Sequence, residues 1–166
     1  MRDEFERQLA LLNEELTTMG GLIESAIANA VKALDGDEHS INKAYDYEKS
    51  IDNKEREIES LSLKLLLTQQ PVASDLRLIS AALKMITDME RIGDHAADIS
   101  EMTILMSKTK YIPNLEHINR MASETVQMLI RSIEAYVEKD MKKAVDVIAS
   151  DDVVDDLFDK NKAELI

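Results

Sequence analysis

Apolar residues recur at steps of three and four from Phe5 through Leu9, Leu12, Leu16, Met19, Ile23, Ala26 and Ala30 to Leu34. That spacing keeps one side of a 3.6-residue period apolar, so the segment is a single amphipathic helix over about residues 2–35. At ~1.5 Å per residue it is roughly 50 Å long. A helix of that length is covered only by neighbours of similar length, which is the geometry of a bundle. Asp35-Gly36-Asp37 ends it, with Gly suited to a helix C-terminus.

The rest of the chain repeats this style. A second helix is expected over about 38–69, with the phase Ile41, Ala44, Glu48, Ile51, Glu55, Ile58, Leu65. Two of those core-phase positions are acidic. A third begins at Pro71 or Val72, where Pro suits a first helical turn, and runs to about Lys108. Its stripe is Leu76, Ile79, Leu83, Ile86, Glu90, Gly93, Ala97, Ser100, Ile104. Pro113 marks a break. A fourth helix, about 114–138, carries Leu115, Ile118, Ala122, Val126, Leu129, Ile133 and Val137. The fifth starts near Asp140 and carries Ala144, Val147, Ile148, Val154, Leu157, Phe158 and Leu165. The fold class is all-α. Short connections make sequential helices antiparallel neighbours.

Composition agrees and narrows the function. Apolar residues are 45% of 166, enough for a sizeable core, while four Gly, two Pro and 4% aromatics leave few turn and strand signals. The absence of Cys removes disulfide scaffolds and thiolate metal sites. The charged start Met1-Arg2-Asp3-Glu4-Phe5-Glu6 is no signal peptide, and no apolar run approaches a membrane span. A cytoplasmic protein is the expectation. A net charge of −13 disfavours nucleic acid and anionic lipid, and suits cations or basic protein patches.

The chain contains an internal repeat. A shift of 103 residues lays Ile27 on Ile130, Leu34 on Val137, Asp37 on Asp140, Ala44 on Val147, Ile51 on Val154 and Asp52 on Asp155. The first unit, 1–110, has three helices. The second, 111–166, has two, and a counterpart of the third helix would begin near residue 174, beyond Ile166. Either the chain continues past Ile166, or one full site is left with an exposed apolar face on helices four and five that would invite dimerisation or docking.

Acids interrupt the packing at matched heights. Glu48 and Asp52 lie four apart on helix two, and Glu90 and Asp94 four apart on helix three. The hairpin turns at Gln70-Pro71. Asp52 lies 18 residues before Gln70 and Glu90 lies 19 after Pro71; Glu48 and Asp94 lie 22 before and 23 after. Equal rise therefore sets the two pairs face to face. On helix one, Gly20 and Gly21 fall level with Asp52, flanked by Thr17, Thr18, Glu24 and Ser25, so helix one is expected to border the same slab. Clustered carboxylates repel, or hold protons, without a countercharge. A cation resolves this, and oxygen-only donors suit Mg²⁺, Ca²⁺, Mn²⁺ or iron. The competing reading is a solvated rim with Arg56 and Arg91 as partners. Asp151 and Asp155 repeat the first pair without third-helix acids: a half-built site, or a solvated acidic face. His39, His95 and His117 form no ligand spacing and read as surface residues or supports beside the site. No nucleophile elbow or Gly-rich phosphate loop is present.

The run Gln69-Gln70-Pro71-Val72-Ala73-Ser74-Asp75-Leu76-Arg77, Lys84, and Asp88-Met89-Glu90-Arg91-Ile92-Gly93-Asp94 closely resembles the signature of the PhoU family of phosphate-transport accessory regulators. The likeness extends to Glu48-Lys49-Ser50-Ile51-Asp52 and persists more weakly through Asp151–Asp155. It implies two three-helix bundles with metal clusters at the acidic motifs, the metal being iron, zinc, magnesium or manganese. It makes Glu48, Asp52, Glu90 and Asp94 one ligand set and Asp151 and Asp155 the second. It implies a non-enzymatic negative regulator of phosphate uptake and phosphate-starvation signalling, with the phosphate ABC transporter ATPase and a membrane sensor histidine kinase as partners and a homodimer as the assembly. Two departures stand out: Asp98 replaces a frequent Asn, and the sixth helix is not in this sequence. The alternatives are a metal-dependent enzyme using the carboxylate cluster and a purely structural scaffold.

Overall fold

The computed structural model describes residues 2–68, 71–108 and 116–165. Five helices account for them: α1 Arg2–Leu34, α2 Glu38–Thr68, α3 Ala73–Met106, α4 Glu116–Glu138 and α5 Met141–Leu165. No strand occurs among the described residues. The Gln69-Gln70 turn, Pro113 and the expected start of the fourth helix at 114 lie outside them.

The helix ends follow local chemistry. Gly36 adopts φ 94°, and the Gly36 and Asp37 amides donate to the Ala33 and Lys32 carbonyls, closing α1. Asp37 then caps α2: its carboxylate accepts from the His39 amide at 3.1 Å and from the Ser40 hydroxyl at 2.7 Å. The Ser40 hydroxyl holds the Asp37 carboxyl below its ordinary range. Pro71 precedes α3 rather than opening it. Val72 is the extended residue before the first turn, and its amide donates back to Asp75 at 3.3 Å.

The core lies between α1, α2 and α3. Leu12, Leu16, Met19 and Ile23 of α1 meet Ile51, Ile58 and Leu65 of α2 and Ile79, Ile86 and Met89 of α3. Each such side chain contributes about 1.5–3 kcal/mol by leaving water. Buried Asn29 is satisfied by donating to the Ser40 carbonyl at 2.7 Å, which locks the end of α1 to the start of α2. Lys54 reaches Glu15 of α1 at 2.7 Å from the flank of α2.

α4 lies against α1, and among the described helices the α5 backbone approaches only α4. Gly20 lies under Ile133 of α4: a Cβ there would sit 2.5 Å from Cδ1, the movable end of that side chain. Tyr136 donates to the Leu78 carbonyl at 2.9 Å, tying α4 to α3, and burial pushes its phenol up to about 12. Above α5 the apolar surface stays open, with Met141 and Ile148 77% and 74% exposed. A cavity of about 350 Å³ between α1, α3 and α4 is lined by Ile27, Ile92, Ile99, Ile118 and Met121.

Candidate metal centre

The carboxylates gather beside the contact of Ile51 of α2 with Gly93 of α3. Ile51 packs on the bare backbone of Gly93, so the next residue on each helix, Asp52 and Asp94, is carried to the same flank. At 100° per residue, Glu48, Asp52 and Glu55 lie on the side of α2 away from Lys54 and hence from α1. Glu90 and Asp94 answer them from α3. Asp52, Glu90 and Asp94 each offer an oxygen within 4.8 Å of the others, and all three are half-buried.

Electrostatics describe a strained set. Burial first, then Asp94 and Asp52, raise the Glu48 carboxyl above its ordinary range. Burial raises Glu90 as well, followed by Asp94 and Glu55. Glu55 is raised by burial, Glu59 and Asp52, with Arg56 opposing. Among the described residues, neither Lys nor Arg forms an ion pair with Asp52, Glu90 or Asp94. Arg91 turns instead toward Asp88, at 4.0 Å. Arg56 acts on Glu55, so the rim of arginine partners weighed from sequence is not assembled around these three. Asp52 Oδ1 is buried with no hydrogen-bond donor. An ionised oxygen in that state is costly unless a cation or proton meets it.

This donor set fits a hard or borderline cation. Asp52, Glu90 and Asp94 would hold it, with Glu48 and Glu55 at the margin. The ion would supply the positive charge that no side chain provides here. The acids would bring it to α2 and α3 together, linking two helices that are otherwise joined by packing.

The sequence-predicted positions fare differently. Asp52, Glu90 and Asp94 come together, and Glu48 stands beside them. Asp151 and Asp155 are exposed on α5 and belong to no group of three candidate ligands among the described residues. Helix one does not border the slab. Gly20 faces Ile133 of α4, Gly21 has nothing within 4 Å, and Thr17, Gly20, Gly21 and Glu24 line a groove against α4. The Thr17, Thr18 and Ser25 hydroxyls donate to carbonyls of their own helix. Helix one turns that side toward α4. Glu55 is the residue left out of the predicted set. Its signal was its core phase, seven residues after Glu48.

The PhoU domain family model matches residues 16–103 and 118–166. The chain is 36% identical over 167 residues to a phosphate-specific transport system accessory protein PhoU homolog of Clostridium acetobutylicum, covering 99% of this chain and 76% of that one. It is 27% identical over 157 residues to the PhoU accessory protein of Escherichia coli K12, covering 94% and 65%. The crystal structure of PhoU from Pseudomonas aeruginosa superposes with a TM-score of 0.88 at 29% identity, covering 97% of this chain and 78% of that one. The matched segments hold both the α2–α3 acids and the α4–α5 hairpin, on a shared helical fold: the chain belongs to the PhoU family.

Proposed function

We propose that this protein is a regulator of phosphate transport, restraining phosphate uptake and phosphate-starvation signalling as a metal-binding helical adaptor. The observation that carries the phosphate role is the family membership, whose curated relatives are named as phosphate-specific transport system accessory proteins. Its partners in this reading are the ATPase of the phosphate transporter and a membrane sensor histidine kinase, met from the cytoplasmic side by a homodimer. None of the five helices is long and apolar enough among its described residues to cross a membrane, so attachment would run through those partners.

The observation that supports the cation is Asp52 Oδ1, buried and without a donor among three converging carboxylates. Iron, zinc, magnesium and manganese are the candidates. The ion stabilises the bundle because it binds the folded state alone. Asp151 and Asp155 form the second set only where a further acid-bearing helix stands opposite them. The activity is binding, not turnover.

The test is genetic and chemical together. Removing the gene is expected to raise phosphate uptake and phosphate-starvation transcription, and the wild-type gene to restore both. Unchanged uptake and transcription would sink the regulatory reading. Elemental analysis of protein purified without chelator tests the ion separately.

A further inference from the structure

Gly93 and Ile51 carry no charge, and each adjoins an acid of the site. Ile51 is fully buried and precedes Asp52; Gly93 is buried and precedes Asp94. A Cβ on Gly93 would stand 2.8 Å from Ile51 Cδ1, 3.1 Å from Cγ2 and 3.6 Å from Cβ. The Cδ1 methyl can swing aside. Cγ2 cannot, because it is bonded to Cβ and a helical Ile holds one strongly preferred χ1 rotamer. A methyl group at position 93 therefore displaces α2 itself, at the height of the acids.

We infer that Gly93 is a positioning residue: its bare backbone sets the α2–α3 spacing at which Asp52 faces Glu90 and Asp94. This rests on the cation reading above. The acids do not set the spacing themselves, since they repel. Packing beneath them holds them together, and Gly93 lies in that packing, against Ile51. The same Gly is a poor helix former, so the position is better explained by the approach it permits than by helix stability.

The experiment compares wild type, Gly93→Ala, Ile51→Ala and the double variant. Each is titrated with Mn²⁺, and each is melted in chelator as metal-free protein. Gly93→Ala is expected to weaken Mn²⁺ binding by roughly 10- to 100-fold, as losing a support beside a metal site does. The double variant keeps only the ordinary contact with Ile51 Cβ. It is expected to bind Mn²⁺ as Ile51→Ala does, and to melt higher than the sum of the two single losses. A folded Gly93→Ala that binds like wild type overturns the inference, as does a double variant without recovery. If Gly93→Ala fails to fold, the double variant decides alone: it must fold and bind like Ile51→Ala. Failure of the cation reading looks different, since wild type itself would then take up no Mn²⁺.

Discussion

The α1–α2 and α4–α5 hairpins turn on the same backbone. Gly36 and Lys139 stand 103 residues apart, and both take positive φ, 94° and 57°. In each, the following Asp amide donates five residues back, from Asp37 to Lys32 at 3.1 Å and from Asp140 to Ala135 at 2.9 Å. Asp37 and Asp140 then cap the next helix with their carboxylates. The hairpins differ in what lies against them. α3 covers α2 and brings Glu90 and Asp94 to Asp52. Among the described residues no helix covers α5 in that way, and Asp151 and Asp155 stay in water. An acidic pair on one helix is thus not a site; the opposing helix makes it one.

The largest expected contrast is in the cores. Ile58→Ala in α2 empties a fully buried position and is expected to cost about 2–5 kcal/mol. Ile148→Ala in α5, at a position 74% exposed, is expected to change stability by less than about 0.5 kcal/mol. Urea unfolding measures both. Equal losses would mean that the open face of α5 is covered in solution.

The next contrast is in the acids. At a hundredfold excess over its dissociation constant, Mn²⁺ is expected to stabilise wild type by about 2.7 kcal/mol. Asp94→Asn is expected to abolish that gain, while Asp151→Asn with Asp155→Asn leaves it intact. Melting with and without Mn²⁺ separates the two sets. A gain lost with the α5 pair instead would reverse the assignment.

Metal-free protein offers a proton-linked version of the same contrast. Glu48, Glu55 and Glu90 have folded pKa values raised above the ordinary glutamate range. A raised carboxyl holds its proton more firmly when folded. Its contribution is therefore present below the unfolded pKa and is lost as pH rises through the folded one. Glu48→Gln with Glu90→Gln is expected to exceed wild type in stability near about pH 7, with the excess shrinking toward about pH 4. Denaturant unfolding across that range checks the sign, and an excess that grows on acidification contradicts it.

Much of this was legible from periodicity. The stripe from Phe5 to Leu34 contains most of the buried α1 residues because a long helix between two neighbours needs one continuous apolar side. Equal rise about a single turn sets Asp52 level with Glu90; Asp94, counted level with Glu48, comes within reach of both in the structure. Helix one was misplaced in the slab because residue counting gives height but not azimuth. Only contact with α4 shows where Gly20 points. Glu55 stands on the core phase of α2, but the E-x-x-x-D spacing picks out Glu48 and Asp52 alone. Ile148 and Phe158 fit the α5 stripe but are exposed, since α4 covers one flank of that helix.

The smallest contrast returns to the turns. Lys139 holds a left-handed backbone that disfavours an L side chain by roughly 1–2 kcal/mol, whereas Gly36 holds it without strain. Gly36→Ala is expected to destabilise by about 1 kcal/mol, because nothing within 4 Å compensates. Lys139→Gly relieves the strain but loosens the unfolded chain by roughly 0.5–1 kcal/mol, so its net gain is expected to be about 0.5 kcal/mol. Both are read by urea unfolding. A gain at 139 together with a loss at 36 would mean that one turn geometry serves both hairpins. A loss at 139 would mean that the Lys139 side chain contributes a contact of its own, and that the two turns have diverged in more than sequence.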